Sequence, residues 1–408
     1  FFEDPACEAL PWDREWVRKL LQEIPDELDW NAMRICVGIA PQFWYDVADE
    51  AGLLLQNEWL YWQNHGWDAQ IRKEYTDWVW TDGNHPSIAI WDAINENWDA
   101  FIGNVLIPDL KELDPTRIWD AGYMTSEHMT LDEMDEPHPY RVYGMRENFD
   151  DYFTKNPYPL GDLDERTERL QKSIDSSAAQ LVNEYGWIWL WRDGRPAKLT
   201  ENNYAFYLGE KATPEQRREL QAYWLQLQTE WLRTERSMAG VLSFCYLTND
   251  YGFTGDWFVD DVADLRPGPT LDWFAHCFAP AAVFINLVDE RYTKHVPPHE
   301  PGSDLPFNLI GVNDLAGPVS GDIQVKLLND EGRTIHEMAT SASIPAYGKQ
   351  HIPICFPLPT EKGGYLLLAE FTPDEMEDSS PVISRRYIKV GRQDEYIYYD
   401  LQPKPLME

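Results

Sequence analysis

Short apolar runs alternate with segments of helical periodicity along residues 1–280 of the chain. The helical segments carry apolar side chains three and four positions apart, as in WDREWVRKLLQEI at 12–24. The apolar runs have the length of strands and follow one another at 32–36, 53–55, 87–94, 117–121, 138–143, 179–183 and 240–246. Strands that alternate with helices predict a parallel sheet that is covered on both faces, here built from seven strand–helix units.

Polar residues collect at the ends of these predicted strands, for example Gln56-Asn57-Glu58 and Asn95-Glu96-Asn97. The carboxyl ends of the strands are where the active sites of (β/α)8 barrels lie. The pattern therefore favours an α/β fold of the TIM-barrel class. An open doubly wound sheet is the alternative, but no Gly-rich phosphate loop follows any of the predicted strands.

The pattern changes beyond residue 280. Residues 294–306 (KHVPPHEPGSDLP) are rich in proline, and short alternating strands separated by turns follow from residue 307. Strands and turns at this spacing predict an immunoglobulin-like β-sandwich. We therefore expect a barrel domain at 1–280, a linker at 281–306, a β-sandwich at 307–393 and a C-terminal tail at 394–408.

Composition narrows the range of partners. The chain has 34 basic and 70 acidic side chains, which gives a formal net charge of −36. A chain this acidic is repelled by nucleic-acid phosphates and by anionic lipid surfaces, so we expect neither a nucleic-acid nor a membrane partner. No apolar run reaches the roughly 18 residues that a bilayer-spanning helix needs. The cellular location stays open, with a secreted or periplasmic one favoured.

Two carboxylates stand out by their position in the predicted barrel. Glu96 follows a buried strand, and Glu184 ends a later strand in VNEYG at 182–186. In a parallel barrel both would point into the same mouth. Two carboxyl groups about 5 Å apart suit glycoside cleavage by double displacement, in which one protonates the leaving oxygen and the other attacks the anomeric carbon. We therefore predict that Glu96 and Glu184 form a catalytic pair, whose pKa values the surroundings must separate.

The motifs around these two residues resemble those of the family 2 glycoside hydrolases. NHPSIAIWDAINE at 84–96 is similar to the family signature, and VNEYG is similar to its strand 7 motif. LDWNAMRIC at 28–36, FWYDVADEAGLLLQNE at 43–58 and DPTRIW at 114–119 resemble its strand 2, strand 3 and strand 5 segments, in family order. The resemblance implies a retaining β-glycosidase that hydrolyses terminal β-linked sugars, with Glu96 as acid/base and Glu184 as nucleophile. It implies a carbohydrate substrate and no required cofactor.

The same resemblance implies supporting roles for three further positions. Arg34 matches the strand 2 arginine that lies near the nucleophile, although a structural ion pair inside the barrel is an equal alternative. Asn95 would bond the 2-hydroxyl of the sugar. Tyr140 or Tyr143, of which we include Tyr143 in the predicted site, would hold Glu184.

Aromatic residues in the loops after the strands add candidate sugar platforms, because flat rings stack on the apolar faces of pyranoses. We predict Trp59, Trp187 and Tyr246 for this role, with hydrophobic packing of long loops as the alternative. An acidic loop with two histidines at 127–138 could hold a structural Ca²⁺ or Mg²⁺ ion, although a solvated loop is favoured and no metal is assigned to the site.

The family barrel has a first strand just before the helix at 12–24, and this chain has none there. A barrel that lacks one strand leaves two open edges. We therefore expect a TIM barrel without its first strand, completed by an N-terminal remainder of the same protein. A homo-oligomer stays open.

Two other functions stay open alongside the retaining exo-acting enzyme. One is an endo-acting polysaccharide hydrolase, with the aromatic loops forming an open cleft. The other is a non-catalytic carbohydrate-binding protein built on a decayed barrel. The sugar and its linkage are not fixed by these motifs.

Overall fold

The structure is a computed structural model. It describes residues 7–62, 66–122, 133–140, 178–234, 236, 238–287, 290–291, 297–374, 380–392 and 404–406. The predicted helix at 166–175 and the larger part of the predicted C-terminal tail lie outside the described residues.

In the described part of the chain, seven parallel strands form the first sheet, and each pairs with the next one along the chain. They are β1 (Ala32–Ile35), β2 (Leu54–Glu58), β3 (Ile88–Asp92), β4 (Ile118–Asp120), β5 (Glu133–Asp135), β6 (Ala179–Val182) and β7 (Gly240–Val241). Strict chain order with parallel pairing is the arrangement of a (β/α) barrel. The predicted fold class is confirmed.

The barrel is open between its first and last strands. Within the described residues, β1 and β7 each have one neighbour in the sheet. A cavity of about 670 Å³ lies between them, and residues of both strands line it. This gap is where the sequence predicts a missing strand.

One strand lies at a different place from the prediction. The sequence predicts a strand at 138–143, whereas β5 covers Glu133–Asp135 and residues 136–140 follow it without regular structure. Residues 141–143 lie outside the described residues. Pro137 and Pro139 explain the difference, because proline has no N–H to donate to a central strand of a sheet.

Helices flank the sheet. A 3₁₀ turn at Leu10–Trp12 precedes α1 (Arg14–Arg18), which continues through a π-helical turn at Lys19–Glu23 into α2 (Ile24–Glu27). After these come α3 (Gln42–Ala51), α4 (Asp68–Asp82), a π-helical turn at Ile102–Leu106 that leads into α5 (Ile107–Leu113), α6 (Glu201–Leu208), α7 (Pro214–Thr234) and α8 (Pro269–Cys277). Asp13 caps the start of α1 by accepting from the backbone N–H of Glu15 and Trp16. Gly52 ends α3 with a positive φ of 75°, a conformation that glycine adopts without strain.

Seven antiparallel strands of the described residues form a two-layered sandwich after the barrel. They are β8 (Ala281–Asn286), β9 (Asp304–Asn313), β10 (Val319–Leu328), β11 (Thr334–Ile344), β12 (Lys349–Pro357), β13 (Gly363–Pro373) and β14 (Val382–Val390). The two sheets have the orders β12-β9-β8 and β11-β10-β13-β14. The apolar run of β8 lies inside the range predicted as a linker, and it pairs along its whole length with β9.

Helix α7 connects the two domains. Every side chain from Glu219 to Thr234 is buried. Trp224 packs in one apolar cluster with residues of β13 and β14, and Trp231 packs in another with Val182 of the barrel and Phe284 of β8. A helix buried on all sides fixes the sandwich against the barrel. None of the described helices is both long enough and apolar enough to cross a membrane.

Candidate functional site

Side chains from four strands of the barrel meet at its C-terminal mouth. Arg34 lies on β1, Asn95 and Glu96 follow β3, His138 follows β5, and Glu184 follows β6. One oxygen of Glu96, one oxygen of Glu184 and a ring nitrogen of His138 all lie within 4.8 Å of one another. The two carboxylates predicted from the sequence are therefore neighbours.

Glu184 is buried, and both of its carboxylate oxygens are held. Oε1 accepts a hydrogen bond from Arg34 Nη1 at 2.5 Å. Oε2 accepts one from the hydroxyl of Tyr140. The Cys36 thiol lies 3.8 Å from Oε1. Donors on both oxygens fix the orientation of this carboxylate.

Arg34, on β1, contacts polar groups from three other strands of the barrel, β2, β3 and β6. Besides Glu184, its guanidinium donates to Asp92 Oδ2 at 3.1 Å and to Asn95 Oδ1 at 2.8 Å, and Nη2 lies 3.1 Å from Glu58 Oε2. Burial lowers the pKa of Arg34, but the carboxylates of Glu58, Glu184 and Asp92 outweigh burial and raise it well above its usual value. The arginine is thus a permanent cation at the centre of the site.

His138 lies between the two carboxylates. Its Nδ1 is 3.0 Å from Glu96 Oε1 and 3.4 Å from Glu184 Oε2, and its Nε2 is 3.6 Å from Glu136 Oε2. Burial lowers the pKa of His138, but the charge of Glu184 and hydrogen bonds to Glu136 and Glu96 raise it to about 10. At neutral pH both ring nitrogens therefore carry a proton.

Glu96 is placed differently from Glu184. The side chain of Glu96 is 26% exposed, whereas that of Glu184 is 6% exposed. The backbone of Glu96 has a φ of 47°, a left-handed conformation that a non-glycine residue rarely adopts and that clusters at functional sites. Glu96 thus faces the open mouth, and Glu184 lies deeper.

Further carboxylates are buried behind the pair. Oxygens of Asp92, Asp120 and Glu136 lie within 4.8 Å of one another, and Gln56 Nε2 donates to Asp92 at 2.8 Å and to Asp120 at 3.0 Å. Burial raises the pKa of Asp92 to about 7 despite the opposing charge of Arg34. Burial and the charges of Glu136 and Asp92 raise the pKa of Asp120 well above its usual value.

Among the described residues, two trios have the spacing that a metal ion needs, namely Asp92 with Asp120 and Glu136, and Glu96 with His138 and Glu184. The carboxyl groups of the first trio can equally share protons among themselves instead of binding a metal ion. A metal ion held by the second trio would have to displace the proton of His138. Residues 127–132 of the loop predicted to hold Ca²⁺ or Mg²⁺ lie outside the described residues.

The predicted sugar-contacting aromatics lie in packed surroundings. Trp59 packs 5.1 Å from Tyr75, measured between ring centroids. Trp187 is 8% exposed and packs 5.3 Å from Tyr140. Tyr246 is half-buried, and its hydroxyl donates to a backbone carbonyl at 3.0 Å. Their contact with sugar stays a prediction.

Sequence reasoning missed several residues of this site. It weighed Tyr140 but included Tyr143, which lies outside the described residues. It treated His138 as part of a metal loop, and it did not use Asp92 or Glu58. Asp92 and Glu58 did leave a signal, since acidic residues inside otherwise apolar parallel strands must face a partner within the barrel.

The fold is therefore a (β/α) barrel with its polar site at the C-terminal ends of the strands, followed by a β-sandwich. The structure matches the β-D-mannosidase of Dictyoglomus thermophilum with a TM-score of 0.61 and 17% identity, over 95% of this chain and 49% of that chain. It matches the exo-chitosanase of Amycolatopsis orientalis with a TM-score of 0.60 and 14% identity, over 95% of this chain and 48% of that one. At these identities the matches establish the fold.

Two curated proteins are similar in sequence. A putative β-glucuronidase of Formosa agariphila is 29% identical over 133 residues, which cover 29% of this chain and 12% of that protein. A β-galactosidase of Clostridium acetobutylicum is 23% identical over 191 residues, which cover 40% of this chain and 21% of that protein. No family model matches the chain. The relatives confirm the resemblance to the family 2 glycoside hydrolases, and the chain spans about half the length of the solved structures that it matches.

Proposed function

We propose that this chain carries the catalytic centre of a retaining β-glycosidase that hydrolyses terminal β-linked sugars. The observation that carries the proposal is the placement of the Glu96 and Glu184 oxygens within 4.8 Å of each other at the barrel mouth. Retaining enzymes hold their two carboxyl groups about 5–5.5 Å apart, whereas inverting enzymes need more room for a water molecule.

The first step forms a covalent glycosyl–enzyme. A Glu184 oxygen attacks the anomeric carbon, the bond from that carbon to the leaving oxygen breaks, and the leaving oxygen takes the proton of Glu96. The bonds from Arg34 and Tyr140 support Glu184 in this role, because they hold its carboxylate in one orientation for attack.

The second step releases the sugar. Glu96, now a carboxylate, takes a proton from water, the water oxygen attacks the anomeric carbon, and Glu184 leaves. The amide oxygen of Asn95 accepts from Arg34 at 2.8 Å, which supports a fixed orientation of this side chain. We assign its amide nitrogen to the 2-hydroxyl of the sugar in both steps. The imidazolium of His138 stabilises whichever carboxylate is charged.

The decisive experiment replaces one carboxyl oxygen at a time. We expect Glu184→Gln to lower kcat on a panel of aryl β-glycosides at least about a thousandfold, because an amide cannot attack the anomeric carbon. Glu370→Gln, which alters a carboxylate on β13 paired with Lys326, serves as the matched control and should change kcat less than about twofold. Unchanged turnover in both Glu184→Gln and Glu96→Gln would refute the proposal.

The stereochemistry of the product tests the two-step route separately. Proton NMR of the first sugar released from a β-glycoside should show the β-anomer. The α-anomer as the first product would indicate a single displacement by water, and the assignment of Glu184 as nucleophile would then be wrong.

A second part of the proposal concerns the gap between β1 and β7. We propose that an extended strand from an N-terminal remainder of the same protein fills the cavity of about 670 Å³ and pairs with both edges. In the complete natural protein, hydrogen exchange at the β1 and β7 amides should be as slow as in β2. Rapid exchange at β1 and β7 alone would contradict it.

A further inference from the structure

We infer that Trp98, together with Trp62, forms a stacking platform for a neutral pyranose on the leaving-group side of the mouth. This inference rests on the proposed function of Glu96 as the proton donor. It assigns a binding site to a residue that carries none of the roles described above.

Trp98 is unusually exposed for a tryptophan in a barrel loop. Its exposed fraction is 69%, and that of Trp62 is 52%. Leu60 and Trp67, from the loop that follows β2, are 56% and 81% exposed. Single apolar residues on a surface are ordinary, but four on two neighbouring loops indicate a binding surface.

Hydrogen bonds hold these two loops side by side. The backbone N–H of Trp59 donates to the carbonyl of Asp92 at 2.9 Å, and that of Asn95 donates to the carbonyl of Tyr61 at 2.9 Å. The Tyr61 hydroxyl also lies 3.4 Å from Asp99 Oδ2. Trp62 follows Tyr61 directly, and Trp98 lies three residues after Asn95, so each belongs to a loop that these bonds hold against the other.

The loop that carries Trp98 is also confined on its other side. Gly122, at the end of β4, has a φ of 66°, and a Cβ there would lie 2.6 Å from the carbonyl oxygen of Ile94 and 3.3 Å from that of Asn97. Asp99 caps the next helical turn by accepting from the backbone N–H of Phe101 and of Ile102. A ring on a loop fixed at both ends binds without first having to be ordered.

The proposed role of Glu96 identifies the part of the substrate that the Trp98 ring faces. Glu96 must contact the glycosidic oxygen in order to protonate it, so the leaving group lies beside Glu96. Trp98 is two residues further along, so the two Cα atoms are at most about 7 Å apart. A ring at this distance reaches the first sugar of the leaving group, and its face attracts the C–H side of a pyranose.

The charges of the two loops select a neutral sugar. Residues 59–62 and 93–99 contain no lysine or arginine, and they contain the acidic Glu96 and Asp99. An acidic sugar in the leaving group would meet like charges and no cation there. The platform therefore fits an uncharged pyranose and not a uronic acid.

The test uses the complete natural protein and compares two substrates that share the same glycosyl unit. A β-glycosyl fluoride has no ring in its leaving group, whereas a neutral β-linked disaccharide has a leaving-group sugar that can stack on Trp98. We expect Trp98→Ala to lower kcat/KM for the disaccharide about tenfold, as the loss of a stacking contact predicts, and to leave the fluoride within about twofold. Trp98→Phe should restore most of the loss.

Trp80 provides the matched control. It is also 69% exposed, and it lies near the end of α4, where the chain returns to the opposite face of the barrel before β3. Trp80→Ala should leave both substrates within about twofold. An equal loss on fluoride and disaccharide in Trp98→Ala, or no loss on either, would overturn the platform.

A failure of the proposed function can be distinguished from a failure of the Trp98 platform. If the unaltered protein cleaves no glycosyl fluoride in a panel of β-galactosyl, β-glucosyl, β-mannosyl and β-glucuronosyl donors, the proposed function fails. Calorimetric binding of neutral β-linked disaccharides then decides the platform alone: binding that Trp98→Ala weakens supports it, and absent or equal binding overturns it.

Discussion

Two buried ionic networks in this chain differ in their charge balance. At the barrel mouth, six carboxyl groups surround the two cations Arg34 and His138, namely Glu58, Asp92, Glu96, Asp120, Glu136 and Glu184. Between α7 and β14, Arg385 pairs with Glu219 at 2.7 Å, and Arg386 pairs with Glu230 at 2.7 Å. Arg291 lies 3.4 Å from the same Glu219 oxygen. In the first network the carboxyl groups outnumber the cations, and in the second each carboxylate is matched by at least one cation.

The difference separates a site of proton chemistry from a structural contact. Where carboxyl groups outnumber cations, some must keep their protons. Burial, joined by the charge of Glu136, raises the pKa of Asp92 to about 7. Where each carboxylate has a cation, the ion pairs fix the two elements to each other. Perturbed acids in a cleft indicate function, whereas matched buried pairs indicate a defined domain interface.

Breaking one pair in the matched network should have the largest effect on stability. Glu230→Gln leaves Arg386 buried without its counter-charge, which costs about 3–5 kcal/mol in the free energy of unfolding. Urea denaturation measures it, and kcat of the folded protein should be unchanged. The double variant with Arg386→Met should recover much of the loss, because it removes the isolated charge. A loss in Glu230→Gln below about 1 kcal/mol would contradict a tightly paired network.

Arg34→Lys tests the cation of the acid-rich network. Lysine carries the charge but not the planar set of donors, so it cannot bind Glu184, Asp92 and Asn95 together. We expect kcat to fall about a hundredfold with little change in KM, because the lost contacts orient the reacting carboxylate.

Arg195→Lys is the control for this variant, since Arg195 is exposed and pairs only with Asp193 among the ion pairs of the described residues. Steady-state kinetics on a glycosyl fluoride measure both variants. A raised KM with unchanged kcat in Arg34→Lys would assign Arg34 to binding alone.

The barrel could be predicted from the sequence because its signals are local. Helical periodicity and short apolar runs gave seven strands in the right order, and the motifs around Glu96 and Glu184 are contiguous segments. The strand predicted at 138–143 is wrong for residues 138–140, where two prolines disfavour pairing, and the strand lies at Glu133–Asp135 instead.

Which residues meet in the site depends on contacts between segments far apart in the sequence, and no local sequence pattern predicts such contacts. His138 comes to lie between Glu96 and Glu184, which are 42 and 46 positions away in the chain, only when β5 closes on its neighbours. Exposure is equally non-local: Trp98 and Trp91 are seven positions apart, yet Trp98 is 69% exposed and Trp91 is fully buried.

His138, a cation of the acid-rich network, should make the stability of the protein depend on pH. Its pKa is about 10 in the folded protein and near 6.5 in the unfolded chain, so between these values only the folded state keeps the proton. The stabilisation from His138 is therefore complete below about pH 6.5 and is lost as pH rises towards 10, at no more than about 1.4 kcal/mol per pH unit.

Urea unfolding of the wild-type protein and of His138→Gln at pH 6.5, 8 and 9.5 measures this effect. The stability difference between the two proteins should shrink as pH rises. Parallel curves across this range would show that His138 is not charged in the folded state.

Asp120→Asn should have the smallest effect, and it is the sharpest counterpart to Glu230→Gln because both exchange one carboxyl oxygen for an amide nitrogen. Burial and the charges of Glu136 and Asp92 raise the pKa of Asp120, so the folded state holds a proton that the unfolded chain loses above about pH 4. The wild-type protein therefore loses stability as pH rises, whereas an asparagine, which resembles the protonated acid, does not titrate. We expect the variant to lie within about 1 kcal/mol of the wild type at pH 5 and to gain relative to it at pH 8. If urea unfolding instead gave a loss as large as that of Glu230→Gln, Asp120 would be an ionised partner of a cation, and the contrast between the two networks would be wrong.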